Sequence, residues 1–354
     1  MSRFLSQKHA SLEPYTPGEQ PRKRLIKLNT NESPFPPPAH VVEAAEAAAR
    51  NLQLYCDPEC KTLVDTYCAL TGLERDEVLF TNGSDEILNF AFAAYCDASH
   101  PAVFPDISYG FYKVFAQINC VPYEEIPLAK DLTVRVEDYL SVHKPIFLAN
   151  PNAPTGLSLP LADVERIVAS NPDSIVLIDE AYVDFGGESA VPLIRKYDNL
   201  IVTQTFSKAR SMAGARLGMG IASPAIIRDL NAIKYSTNPY NVNSMTQAVG
   251  VAMLECEEEV RANCRTVMEN RAWTKKELES LGFLVTDSKT NFLFAAHPDV
   301  TGATVYTELR RRGILVRHFT STRIQNFNRI TVGSRTDMEA LVAACREIVD
   351  ACGK

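Results

Sequence analysis

The chain has 354 residues, 36 basic and 43 acidic, with a formal net charge of −7; that is long enough for two hydrophobic cores and too acidic to favour nucleic acid or anionic lipid as main partner. No apolar run approaches the length of a membrane span, and residues 1–8 lack the apolar stretch of a secretory signal, so a cytoplasmic location is expected. The nine cysteines form no CxxC pair, and Cys56 and Cys60 have no histidine nearby; reduced thiols and no metal site are the expectation.

Residues 1–38 read as an irregular arm. Pro14, Pro17, Pro21, Pro34, Pro36, Pro37 and Pro38 preclude a helix there, and only 25–28 has the apolar run of a short strand. An alanine- and glutamate-rich helix is expected over 39–53. Strand-like runs then fall at 78–80, 102–104, 146–148, 175–178, 200–202 and 219–221, with helical patterns over 84–96, 108–119, 160–170 and 223–234. Short, continuously apolar strands separated by helices predict an α/β unit over 39–250, a mostly parallel sheet covered by helices on both faces. Residues 251–281 read as one long charged helix leading into a smaller α+β unit, 251–354. Its strands are expected near 283–285, 291–294, 314–316 and 329–332, and its helices near 301–312 and 335–351.

Ligands of such sheets bind at the carboxyl ends of the strands, and five segments with chemical potential stand there. Gly83-Ser84-Asp85-Glu86 opens a helix after the first strand. It is either a plain cap or a place where free backbone N–H groups meet a phosphate. Tyr109 follows the second strand, as a core ring or a stacking platform. Asn150-Pro151-Asn152-Ala153-Pro154-Thr155-Gly156 makes a stiff turn after the third. Asp179 ends the most hydrophobic strand, with Tyr182 three residues on. A carboxylate in that position either caps a helix or needs a buried cation as partner. Thr205, Ser207, Lys208 and Arg216 follow the next strand. An amine there suits bonding to an aldehyde, and the hydroxyls and guanidinium suit a phosphate.

Taken in order, these segments meet the needs of bound pyridoxal phosphate. The sequence resembles the fold-type I aminotransferases that use this cofactor, and within them the histidinol-phosphate aminotransferases, from about Pro14 to the final helix. The marks of that resemblance include Pro14-Tyr15, Leu28-Asn29-Thr30-Asn31-Glu32-Ser33-Pro34, the segments around Ser84 and Lys208, and Arg329-Ile330-Thr331-Val332-Gly333. The resemblance implies that Lys208 bonds the cofactor's aldehyde, that Asp179 partners the pyridine nitrogen, and that Tyr182 partners the phenolic oxygen. It implies that Tyr109 stacks on the ring and that Ser84, Asp85, Thr205, Ser207 and Arg216 hold the phosphate. Tyr55 matches a tyrosine that reaches the phosphate of the neighbouring subunit, which implies a homodimer with shared active sites. Arg329 matches the arginine that grips the substrate's anionic end. Arg317 matches a second basic residue of that pocket, and Tyr15 and Asn31 match arm residues near the substrate.

One departure stands out. The family usually has asparagine in its Asn-Pro-Thr-Gly turn, where it helps the tyrosine hold the phenolic oxygen; here that position is Ala153. Asn152 is expected to point elsewhere, leaving Tyr182 to make the contact without it. The resemblance implies exchange of an amino group between L-histidinol phosphate and 2-oxoglutarate or glutamate, in histidine biosynthesis. An aromatic amino-acid aminotransferase and a threonine-phosphate decarboxylase-like lyase of the same fold share most of these residues.

Overall fold

The computed structural model describes residues 2–10, 12–21 and 25–352. A seven-stranded sheet carries the strand ends predicted to be chemical. Its order is Val78–Thr81, Gly218–Ala222, Leu200–Thr205, Val176–Asp179, Ile146–Ala149, Ala102–Pro105 and Tyr123–Ile126. Gly218–Ala222 runs antiparallel to both its neighbours, and the other pairings between adjacent strands are consistent with one common direction. Six carboxyl ends therefore meet the start of Gly218–Ala222 along one edge.

Alternation of side chains across the pleat divides the core into two layers. Leu79, Phe104, Phe147, Leu177 and Ile201 pack against the helices Ser84–Tyr95, Phe111–Ile118 and Pro224–Thr237. Phe80, Val103, Leu148, Ile178 and Val202 face the opposite layer. Because each central strand is buried on both sides, its sequence reads as a continuous apolar run, which makes it legible. The edge strand Tyr123–Ile126 lies outside the predicted strands. Glu124 and Glu125 are exposed at the sheet margin and break the apolar pattern.

A second, antiparallel sheet has the order Arg317–His318, Phe327–Thr331, Phe292–Ala296, Leu284–Val285. The arm joins this region: Ile26–Lys27 pairs in parallel with Ile314–Leu315. The helix expected over 251–281 is two helices, Ser244–Leu254 and Glu257–Ser280. Glu257, Glu258 and Glu259 crowd the first turn of the second one, where acidic groups favour a helix start. The helix Lys61–Thr71 is a further element absent from the sequence reading; it stops at Gly72, whose φ of 72° suits glycine. No helix among the described residues is long and apolar enough to cross a membrane.

Candidate active site

Nine of the residues singled out above line one cavity at the carboxyl edge of the large sheet: Ser84, Asp85, Tyr109, Asp179, Tyr182, Thr205, Ser207, Lys208 and Arg216. One wall is an anion cradle. The helix Ser84–Tyr95 begins at Gly83 with no side-chain cap, so its first N–H groups are open to a ligand. Gly83 has φ 82°, and a Cβ there would stand 2.6 Å from Arg216 Nη2. Gly218 is equally constrained, since its Cβ would lie 2.2 Å from the Ser84 nitrogen. Only glycine lets the strand, the helix start and the guanidinium converge. Arg216 contacts Asp85 Oδ2 at 3.2 Å and donates to Ser207 Oγ at 3.4 Å, and Thr205 Oγ1 donates to Ser207 Oγ at 3.0 Å.

The cavity floor is Asp179, 4% exposed. Its Oδ1 accepts the Ala181 N–H at 3.1 Å and its Oδ2 accepts the Tyr112 hydroxyl at 3.3 Å, so both oxygens are held from the protein side. Burial pushes its carboxyl up to about 7, opposed by the Ala181 N–H, Tyr112 and Lys208. Asp179 has no ion-pair partner among the described residues, which leaves it suited to a cationic ligand atom. Tyr112 is a residue that sequence reasoning missed. Its spacing three residues after Tyr109 was the available signal, but the contact to Asp179 exists only because the helix Phe111–Ile118 packs on the sheet. Tyr109 stands edge-on to Tyr112 (centroids 5.8 Å, 88°) and donates to Asp85 Oδ1 at 2.8 Å. Its ring is thereby fixed as a wall of the cavity.

Lys208 Nζ lies 3.5 Å from the Thr30 carbonyl oxygen and 5.8 Å from the centre of the Tyr182 ring. Tyr182 packs edge-on against Phe292 at 5.1 Å, and its hydroxyl oxygen accepts from Asn31 Nδ2 at 2.9 Å. Asn152 points away from the cavity: it accepts from Ser108 Oγ at 2.8 Å and donates to the Ile107 carbonyl at 3.0 Å. Ala153 lines the cavity with a methyl group.

A second cavity adjoins the first, sharing Tyr109, Ala153, Tyr182 and Lys208, and is closed by Tyr15, Asn31, Arg317 and Arg329. Arg317 and Arg329 are directly opposed on antiparallel strands, a pairing that repels. Arg329 is half-buried, donates to the Asn29 carbonyl at 3.1 Å and has an enclosed Nε without a partner among the described residues. Burial holds its guanidinium below the ordinary arginine value, and Arg317 adds to that effect. Arg317 reaches only the Thr16 carbonyl, at 3.2 Å. Neither arginine pairs with a carboxylate among the described residues, so the pocket suits an anionic ligand. Tyr15 stacks on Phe111 at 4.4 Å. Tyr55 is not part of either cavity of its own chain: it is 84% exposed and stacks on Tyr240 at 4.6 Å.

Residues 23–348 match aminotransferase class I and II. The chain belongs to that family. It is an aminotransferase. It is 43% identical to the histidinol-phosphate aminotransferase of Brachyspira hyodysenteriae, over 99% of both chains. It is 45% identical to that of Aromatoleum aromaticum, over 99% of this chain and 100% of the other. It shares its fold with the crystal structure of histidinol-phosphate aminotransferase from Sinorhizobium meliloti in complex with pyridoxal-5'-phosphate. The TM-score is 0.90 at 22% identity, covering 99% of each chain.

Two buried carboxyls of this aminotransferase predict how its ligand-free form responds to pH. Glu180 faces away from the cavity onto Ser189, the Ala190 N–H and Gln204, and burial pushes it, like Asp179, up to about 7. Both folded-state values lie above the unfolded ones. Their stabilising contribution is therefore complete in acid and is lost as pH rises from the ordinary carboxylate range through about 7. Thermal melting of ligand-free protein should show the Asp179→Asn variant losing less stability over that rise than the parent. Equal slopes would mean that Asp179 ionises freely in the folded protein.

Proposed function

We propose that this aminotransferase moves the amino group of L-histidinol phosphate to 2-oxoglutarate through pyridoxal 5'-phosphate, as a step of histidine biosynthesis. The observation that carries the reading is the facing pair Arg317 and Arg329, lining a cavity with no carboxylate partner among the described residues, beside a second cradle around Arg216. One anion site suits the phosphate of a cofactor, and the other suits a phosphate or carboxylate of the substrate. The full-length relatives at 43% and 45% identity support the choice of substrate.

The residues fit the cofactor. The open helix start, Ser84, Thr205, Ser207 and Arg216 supply phosphate donors. Asp179, unpaired and backed by Tyr112, suits a protonated ring nitrogen. When bound, pyridoxal phosphate supplies an aldehyde that carries the amino group and a ring that takes up electrons released at the substrate carbon. Tyr109 holds the ring's plane and Tyr182 offers its hydroxyl to the phenolic oxygen. Lys208 would bond the aldehyde through Nζ, and the same amine would move the proton at the substrate's amine-bearing carbon. Arg329 and Arg317 fix the substrate's anionic end, and Tyr15 and Asn31 close the pocket from the arm. Residues 39–250 thus supply the cofactor's side of the site and residues 251–354 the two arginines, which supports two units, although the border at 250/251 falls inside the helix Ser244–Leu254.

The decisive experiment mixes the loaded protein with L-histidinol phosphate and follows the visible absorbance. Loss of the aldehyde form's colour, restored by 2-oxoglutarate, is expected. A response to aromatic amino acids alone, or release of CO2 from a phosphorylated amino acid, would replace the substrate reading.

We also propose a homodimer in which Tyr55 completes the neighbour's phosphate site. Its outward ring, on a loop clamped by Gln247 to the Asp57 carbonyl at 2.8 Å and by Lys234 to the Pro58 carbonyl, supports this. Mixing Tyr55→Ala and Lys208→Ala proteins, each nearly inactive, should restore roughly a quarter of the sites, because hybrids hold one intact site each. No recovery after subunit exchange would refute the sharing. Nine free cysteines, two of them exposed, support a reducing, cytoplasmic setting.

A further inference from the structure

Tyr182 has one hydroxyl proton, and its neighbours decide where that proton points. On the arm side its oxygen accepts from Asn31 Nδ2 at 2.9 Å, and an amide NH2 cannot accept a proton in return. The orientation of the Asn31 amide is itself fixed. Thr331 Oγ1 donates to Asn31 Oδ1 at 3.1 Å and accepts the Asn31 backbone N–H at 2.9 Å. Asn291 Nδ2 donates to the Asn31 carbonyl at 3.0 Å. Asn31 is 1% exposed and has φ 55°, a left-handed conformation that asparagine tolerates and most side chains do not. On the cavity side, Ala153 offers only a methyl group, and Asn152 is committed to Ser108 and Ile107.

We propose that Asn31 is a positioning residue for Tyr182: its amide donates to the tyrosine oxygen and so turns the tyrosine's own proton into the cofactor cavity, an assignment that rests on the cofactor reading above. Asn31 thereby supports, from the arm, the phenolic-oxygen contact that no side chain at Ala153 can assist. The bonds of Asn31 to Thr331 and to Tyr182 tie the arm to the strand Phe327–Thr331 and to the cofactor site, so that the substrate pocket and the cofactor's electronics share one residue.

The test uses the intact protein loaded with pyridoxal phosphate. Asn31→Gly removes the amide without backbone strain, and Asn31→Asp keeps the shape but replaces the donor with an acceptor that draws the Tyr182 proton away. A hydroxyl donating to the cofactor's oxygen favours the form with more negative charge there, so losing that donation raises the pH midpoint of the visible absorbance. A rise of about 0.4 to 1 unit is expected in both variants, together with a several-fold rise in the cofactor's Kd by equilibrium dialysis. In a Tyr182→Phe background the same Asn31 changes should move neither quantity. An unchanged midpoint in both single variants would overturn the assignment. So would an equal shift in the Tyr182→Phe background, because Asn31 would then be acting through arm packing. A parent protein that takes up no pyridoxal phosphate would instead overturn the cofactor reading, which separates the two failures.

Discussion

Lys208→Ala is expected to lower transamination by roughly 10⁴-fold or more, since in the proposed function it supplies both the amine that bonds the aldehyde and the base that moves the α-proton. The geometry makes this lysine hard to replace. Among the described residues it is the only amine that lines both cavities, with Arg216 on the cofactor side and the facing arginines on the substrate side. Its nearest hydrogen-bond partner is a carbonyl at 3.5 Å, so Nζ is free to leave that contact without stranding a buried charge. The phosphate cradle and Asp179 do not depend on it. The variant should therefore still bind pyridoxal phosphate, more weakly, with the spectrum of free aldehyde rather than of a lysine adduct. Small primary amines added to the variant should recover a fraction of proton transfer, because they can enter the cavity that the side chain leaves. Near-normal turnover would remove Lys208 from the chemistry altogether. Loss of cofactor binding together with loss of folding would instead give it a structural role.

The same geometry explains which features are legible in the amino-acid sequence. The central strands announce themselves because burial on both faces leaves no polar position, as in Val176–Asp179, where all four residues are buried. A carboxylate at the end of such a strand has few reasons to be there, so Asp179 can be picked out. Lys208, Arg216 and Ser84 are legible because they follow strand ends in chain order. The contacts that tune them are not. Tyr112 reaches Asp179 from another strand–helix unit, and Asn31 reaches Tyr182 across 151 positions of sequence. The opposition of Arg317 and Arg329 depends on strand register, which the apolar pattern of 314–316 and 329–332 does not specify. The break at Glu255–Cys256 is hidden because the helical pattern continues on both sides of it.

Register is what gives the second prediction its size. Two guanidinium groups face each other across adjacent strands, and Arg329 has an enclosed, unpartnered Nε; no carboxylate among the described residues offsets either charge. Such an arrangement costs stability in the free protein and is relieved by an anion. Arg329→Met should therefore raise KM for L-histidinol phosphate and for the dicarboxylate partner together, since in the proposed function one pocket serves both half-reactions. Truncating one side of a buried charged contact costs about 2–4 kcal/mol, or roughly 30- to 700-fold in KM. Arg317→Met should act in the same direction with a smaller effect, because the Arg317 guanidinium makes its contact at the exposed rim of the pocket, whereas the Arg329 Nε is enclosed. The free protein should respond in the opposite sense. Removing one of two facing cations leaves the Arg329→Met variant as stable as the parent or more so in thermal melting without ligand. The stabilisation that either substrate confers on the parent should disappear. A rise in KM for only one substrate would assign Arg329 to that half-reaction alone. A ligand-free variant that melts well below the parent would show that the guanidinium supports the arm through Asn29 rather than waiting for an anion.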